Sequence, residues 1–225
     1  MTPAVLVVGA SRGIGLEFVR QYRADGARVL ATHRAAADAA RLRALGAEPL
    51  PLDVLDAGAI AGLGRRLAGE RLDVAIFNAG VFGPRTPGVV APEAETFDMV
   101  MHTNVLAAMR LIPVLAPSLA AARGTLAVLS SRMGSTTLMQ SASAWLYRAS
   151  KAALNSVMKS ASIELGAQGI VCVALHPGWV RTDMGGAAAQ LDIADSVAGM
   201  RRVLATADAS MHGGFFDFDG ERLPW

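Results

Sequence analysis

The stretch AVLVVGASRGIG, residues 4–15, decides the fold. AVLVV (4–8) is a short apolar run, mostly β-branched, that ends in glycine. It reads as a strand buried on both faces. GASRGIG (9–15) follows, and a helical pattern begins within it at about residue 13 and runs to about 25. A glycine turn between a first strand and a first helix sits, in a doubly wound sheet, at the carboxyl edge where ligands bind. Glycine lets the backbone approach a pyrophosphate, and the helix that follows presents free N–H groups and a positive dipole end. The spacing, Gly9-x3-Gly13-x-Gly15, differs from the standard dinucleotide fingerprint in where the glycines fall. An isolated turn of this kind also serves purely structural ends.

Working outward, short apolar runs alternate with longer helical stretches. RVLAT (28–32), AEPLPLD (47–53), LDVAIFN (72–78), GTLAVLSS (124–131), GIVCVALHP (169–177) and GFFDF (214–218) are strand-length. Helices are expected over about 37–45, 56–68, 93–122 with an interruption, 143–167 and 192–206. This alternation predicts an α/β fold: a Rossmann-type, doubly wound parallel sheet of about seven strands with helices on both faces. No repeat or linker interrupts residues 1–225, so a single domain is expected. VFGPRTPGVVAP (81–92) reads as a loop, and RTDMGGAAAQL (181–191), poor in large anchors, as a candidate mobile segment.

Composition narrows the class. The 225 residues are 52% hydrophobic and 18% charged, which suits a packed globular chain. The formal net charge is +2 with arginine scattered along the chain, so nucleic acid is not an expected partner. No signal-peptide pattern opens the sequence, and no apolar stretch reads as a membrane span. The lone cysteine, Cys172, reads as a buried core thiol, and a cytoplasmic location is expected. The four histidines have no ligand spacing, so no metal is expected. A hydrolase has no G-x-S-x-G anchor.

The second strand bears on cofactor choice. A site for NAD usually ends that strand with an acid to hold the ribose 2′-hydroxyl. Here it runs into Thr32, His33 and Arg34, with no acid before Asp38, and Arg12 lies inside the glycine loop. Two guanidinium groups suit a 2′-phosphate, so NADP(H) is expected over NAD(H). The plainer alternative is that Arg34 opens a solvated helix.

YRASK (147–151) carries one of only two tyrosines and one of only two lysines in a chain that otherwise uses arginine. Spacing i, i+4 puts Tyr147 and Lys151 on one helix face. Free tyrosine, at about pKa 10, is only about one-thousandth ionised at pH 7. A cation at ~4 Å in an effective dielectric of ~20 contributes about 4 kcal/mol. That is about three pKa units, enough to make the phenol a general acid or base near neutrality. Lysine is a compact point charge that can join a proton relay, whereas arginine is a broad fork of very high pKa. Taken alone, the pair also fits ordinary residues on an amphipathic helix.

These residues resemble the short-chain dehydrogenase/reductase family along nearly the whole chain. GASRGIG is similar to its cofactor loop, NAG (78–80) to its sheet-stabilising motif, and HTNV (102–105) to the motif of its structural and relay asparagine. Ser131, Tyr147 and Lys151 match its catalytic serine, tyrosine and lysine, and HPGWVRTD (176–183) its Pro-Gly motif and following threonine. Within the family, SSRMGS, YRASKAALN, HPGWVRTDMGG and FFDFDGERLPW resemble C-factor-like proteins and sniffer-type carbonyl reductases. The resemblance implies a carbonyl or alcohol substrate, with Tyr147 as acid/base and Ser131 polarising the substrate oxygen. It implies that Lys151 holds the nicotinamide ribose and that Asn104 holds a water linking Lys151 to solvent. The cofactor site it implies comprises Gly9, Ser11, Arg12, Gly13, Ile14, Gly15, Arg34, Asp53, Val54, Asn78, Ala79, Gly80, Tyr147, Lys151, Pro177, Gly178, Val180 and Thr182. Ser131 and Tyr147 are sixteen positions apart, a few more than usual, so TTLMQSASAW (136–145) is expected to loop beside the site.

Met133, Met139, Trp145, Trp179 and Met184 are the candidates for an apolar substrate pocket, although each also suits ordinary packing. A rival reading from another class is a cofactor-binding signalling or regulatory protein whose turnover is incidental. The helices over about 103–122 and 143–167 carry apolar residues on more than one face, and a homodimer or homotetramer is expected.

Overall fold

The computed structural model describes residues 2–225. Seven strands form one parallel sheet: β1 (Ala4–Val8), β2 (Arg28–His33), β3 (Glu48–Pro51), β4 (Val74–Phe77), β5 (Thr125–Leu129), β6 (Val171–His176) and β7 (Gly214–Asp217). Their order is β3-β2-β1-β4-β5-β6-β7. The direction of winding reverses between β1 and β4, so a crevice opens above their carboxyl ends.

Burial explains why the strands are apolar throughout. Leu6 and Val8 of β1 face one side and Val5 and Val7 the other, and all four are fully buried. On one face pack α3 (Ala57–Arg66), α5 (Ala107–Ala122) and α6 (Trp145–Gly166), through residues such as Leu63, Leu111, Leu115, Leu154 and Met158. On the other pack α1 (Gly13–Ala24), α2 (Ala36–Ala44) and α7 (Ile193–Ala205), through Phe18, Leu42 and Met200. Each such side chain contributes about 1.5–3 kcal/mol by leaving water, so Leu111→Ala would cost about 2–5 kcal/mol with its cavity. Cys172 lies in the first of these layers, where burial pushes its thiol up to about 12 and makes it inert.

The interruption expected within 93–122 is a π-helical turn, His102–Leu106, between α4 (Ala94–Met101) and α5. It carries Thr103 and Asn104 into the interior. One expectation needs correction here: the helical run Ala94–Ala122 is long and apolar enough to cross a membrane by length and composition. In this fold Leu111, Leu115 and Leu119 of that run are spent on the sheet core instead.

Candidate active site

The site grows from the carboxyl ends of β1, β2, β4, β5 and β6. At β1, Gly9 has φ +84°, a left-handed conformation, and a Cβ there would come within 2.9 Å of the Ala79 backbone nitrogen. A Cβ on Gly15 would lie 2.1 Å from the Gly9 carbonyl oxygen. Only glycine fits either place. The loop is tied to its neighbours: Gly9 N–H donates to Thr32 Oγ1 at 2.9 Å, and Asn78 Nδ2 donates to the Gly9 carbonyl at 2.6 Å. Asn78 thus locks the end of β4 to the glycine turn.

Above this loop lies a cavity of about 840 Å³. Its wall includes Gly9, Ser11, Arg12, Gly13, Ile14, Arg34, Asp53, Val54, Asn78, Ala79, Gly80, Tyr147, Lys151, Pro177 and Thr182. The expected cofactor residues therefore converge, with three exceptions. Gly15 lies beneath the loop, while Gly178 and Val180 line a second cavity beside the first. Arg12 and Arg34 both border the cavity, but Arg12 is also paired with Asp183 of the 181–191 segment. A third guanidinium, Arg41, donates to the Ser11 carbonyl at 3.0 Å. It lies on α2, where no motif marks it.

Tyr147 and Lys151 occupy successive turns of α6, with Lys151 Nζ 5.7 Å from the phenol ring centroid. The geometry expected from spacing is present, but its electrostatic consequence is not. Burial pushes the Tyr147 phenol up to about 12, opposed only by the neighbouring Ser131 hydroxyl. Lys151 does not pull it down. It is itself buried, which lowers its amine to about 8, and Nζ donates to the Leu129 carbonyl at 2.8 Å. The amine stays mostly protonated at pH 7, but it is turned onto the Leu129 carbonyl.

Ser131 ends β5's extension, and its Oγ accepts from the Met133 N–H at 3.1 Å. Ser130 turns the other way: its Oγ donates to Asn155 Oδ1. Asn155 also donates to the Gly134 carbonyl at 3.3 Å, so it ties α6 to the turn behind Ser131. Sequence reading missed it as a positioning residue. Its signal was there, since 147, 151 and 155 share one helix face. Asn104 is held in a specific way. Its Oδ1 accepts from Val81 N–H at 2.8 Å, and its Nδ2 donates to the Val81 carbonyl and Ser150 Oγ, each at 2.9 Å. Both amide protons and one lone pair are taken by protein, which leaves the second Oδ1 lone pair as the side chain's place for a water.

The second cavity, about 800 Å³, opens beside Ser131 and Tyr147. Met133, Trp179 and Met184 line it as expected. Met139 and Trp145 do not: Met139 is exposed, and the Trp145 indole donates to the Val90 carbonyl at 2.8 Å. Their places are taken by residues that sequence reading passed over, chiefly Phe82, which stacks on Tyr147 with ring centroids 4.4 Å apart. His176 also lines it, held neutral with a pKa of about 4, first by burial and then by Arg132. The 181–191 segment is a chain of turns, with Val180 bridged to Leu191 and Gly185 N–H donating to Thr182 Oγ1 at 3.0 Å.

A glycine-cradled crevice that meets a Ser–Tyr pair at the edge of a parallel sheet defines an α/β oxidoreductase type of site. The chain belongs to the short chain dehydrogenase family, whose model matches residues 3–192. C-signal of Myxococcus xanthus is 43% identical over 158 residues, which cover 68% of this chain and 93% of that protein. Among solved structures, the carbonyl reductase Sniffer of D. melanogaster superposes over the full length of both chains with a TM-score of 0.92 at 28% identity. A carbonyl reductase from Pseudomonas aeruginosa PAO1 in complex with NADP does so at 0.87 and 35% identity.

Proposed function

We propose that this protein is an NADP(H)-dependent oxidoreductase acting on a carbonyl or secondary alcohol, with Tyr147 as general acid/base. The observation that carries the proposal is the place of Tyr147 in the wall of both cavities, with Ser131 beside it in the second. A serine and a tyrosine hydroxyl that border one cavity can both serve a substrate oxygen that enters between them.

The dinucleotide fits the first cavity. The Gly9 and Gly15 positions leave no room for a Cβ, the amino end of α1 is free to face a pyrophosphate, and Arg12 and Arg34 border the ribose end. The P. aeruginosa reductase, which binds NADP, supports the choice of the phosphorylated form. When bound, the cofactor supplies or accepts the hydride. The chain's own residues manage the oxygen and its proton. Ser131 donates a hydrogen bond to the substrate oxygen and polarises it. Tyr147 then gives that oxygen its phenolic proton. A phenol pushed up to about 12 stays protonated across the physiological range, which suits reduction. Lys151, now on the Leu129 carbonyl, would hold the ribose of a bound cofactor, and its amine of about 8 can resupply the proton that the phenol gives up. Relay to solvent would run through the backbone of the π turn, whose widened hydrogen-bond spacing re-aims carbonyls around Asn104. Phe82 covers the outer face of the phenol and keeps water off it.

The similarity to C-signal favours a second reading, a cofactor-binding signalling protein with incidental turnover. Loss of NADPH absorbance with a panel of aldehydes and ketones, abolished in Tyr147→Phe, is the expected result. Unchanged NADPH binding with no turnover of any carbonyl would favour the second reading.

A further inference from the structure

The second cavity carries more charge than an apolar substrate needs. Arg85, Arg132 and Arg148 line it, and no Asp or Glu does. Most arginines near the site are neutralised: Arg12 pairs with Asp183 and Arg181 with Asp192. Arg132 has Asp217 at 3.9 Å. Arg85 and Arg148 have no carboxylate within ion-pair distance among the described residues. Each is nonetheless held in place. Arg85 lies 4.5 Å from the Phe82 ring centroid, on the same ring that covers Tyr147, and donates to the Met184 carbonyl. Arg148 follows Tyr147 in sequence and donates from Nε to the Ser143 carbonyl at 3.0 Å. With a net charge of only +2 on the whole chain, this concentration is local.

We propose that the cavity takes a carbonyl substrate bearing an anionic group, a carboxylate or phosphate monoester, held by Arg85 and Arg148 with Arg132 adding its field. The inference rests on the oxidoreductase reading of the same site and names its substrate class. A planar guanidinium binds either anion through paired N–H donors. Backbone carbonyls satisfy one donor on each arginine and leave the others, and the charge, without a partner. The field of three guanidiniums around an apolar wall of Met133 and Trp179 favours an anion over a neutral body of the same shape. The anion is anchored close to the hydride position because Arg85 reaches Tyr147 through a single intervening ring.

The test compares three aldehydes of one shape, 4-formylbenzoate, 4-formylphenyl phosphate and the neutral methyl 4-formylbenzoate, by NADPH consumption at low and high salt. The expected result is kcat/KM for at least one anionic aldehyde about tenfold or more above the ester. That preference should shrink with salt, collapse in the Arg85→Gln/Arg148→Gln double variant, and separate carboxylate from phosphate by which one is preferred. NADPH affinity of the double variant reports that it is folded, since neither arginine lines the first cavity. Equal use of the ester, or a preference that survives in the double variant, overturns the inference while leaving the oxidoreductase reading intact. Consumption with none of the three, nor with a wider carbonyl panel, overturns the oxidoreductase reading. In that case calorimetric titration of the NADP⁺ complex with terephthalate and with its dimethyl ester decides. Arginine-dependent binding of the dianion alone sustains an anion site, and its absence removes it.

Discussion

Lys151 donates to the backbone carbonyl of Leu129 at 2.8 Å from inside the protein, one helical turn from the phenol it is expected to serve. Its environment lowers its amine from 10.5 to about 8 through burial alone. Lysine at this place is therefore a cost to the cofactor-free fold. Below pH 8 it is charged in both folded and unfolded states and the full penalty applies. Between pH 8 and 10.5 the unfolded chain holds the proton more tightly, so stability rises with pH, and above that window the penalty is gone. At neutral pH the penalty is at most about 3 kcal/mol. Lys151→Met would recover it less about 1 kcal/mol for the orphaned Leu129 carbonyl. Cofactor-free Lys151→Met is expected to unfold at higher denaturant than wild type at pH 7, the difference closing by pH 10.5. Equal midpoints at both pH values would contradict a buried, strained amine.

The same reasoning gives Tyr147 a measurable signature. Burial holds both tyrosines up to about 12, Tyr22 as well as Tyr147. Neither should develop phenolate absorbance below about pH 11 in the cofactor-free protein. Saturating NADP⁺ brings a positive nicotinamide and draws Lys151 toward the phenol, so one phenolate is expected to appear at lower pH. It should vanish in Tyr147→Phe. A phenolate that titrates near 10 without cofactor would mean the ring is wetter than its burial implies.

The sequence exposed the frame of the site more clearly than its electrostatics. GASRGIG and the alternating apolar runs were enough for a doubly wound parallel sheet with its crevice at the carboxyl edge, because a glycine turn and buried strands depend on local backbone geometry. Tyr147 and Lys151 were likewise legible by spacing, and Ser131 through the family resemblance. What the spacing hid was solvent. The i, i+4 pair implies attraction, and only the folded structure reveals that Lys151 is buried and turned onto the Leu129 carbonyl. The hold of Val81 and Ser150 on Asn104 was hidden too, because both lie far from it in sequence. Met139 and Trp145 had suitable chemistry but the inserted loop turns them away, while Phe82 and Arg85 came from a Pro/Gly-rich stretch with no periodicity to read.

Cofactor preference is expected to depend on Arg34, which lines the first cavity and has no carboxylate within ion-pair distance among the described residues. Arg34→Asp removes a charge-assisted contact with a 2′-phosphate, about 1.5–3 kcal/mol, and adds an acceptor for a 2′-hydroxyl. Affinity for NADPH should fall about tenfold to a hundredfold and that for NADH should rise. Wild-type protein that binds NADH as tightly as NADPH would end this reading.

Exposed apolar side chains on α4, α5 and α6, among them Phe97, Met109 and Ile163, favour self-association. A homodimer or homotetramer is expected by light scattering at micromolar concentration, and Ile163→Glu or Met109→Glu is expected to weaken it. Wild-type protein that stays monomeric would exclude that face as an interface.

The last prediction concerns why an arginine-rich chain places lysine at 151. Lys151→Arg keeps the charge, and burial would not neutralise a guanidinium as it does the amine. If charge near the phenol were sufficient, the variant should work as well or better. The site argues otherwise. Gly134 packs so tightly on α6 that a Cβ there would meet the Lys151 backbone at 2.7 Å, which leaves no slack for the helix to shift around a wider head group. The fork cannot occupy one point between Leu129 carbonyl, phenol and ribose, and it cannot give up a proton. A kcat lower by about 10²–10⁴ is expected for Lys151→Arg, with at least as large a loss in Tyr147→Phe. The double variant should be little worse than either, because both side chains serve one proton transfer. Steady-state rates and pH profiles of the three variants provide the measurement. Near-wild-type turnover in Lys151→Arg would show that charge alone suffices and that the compact, titratable amine has no special part.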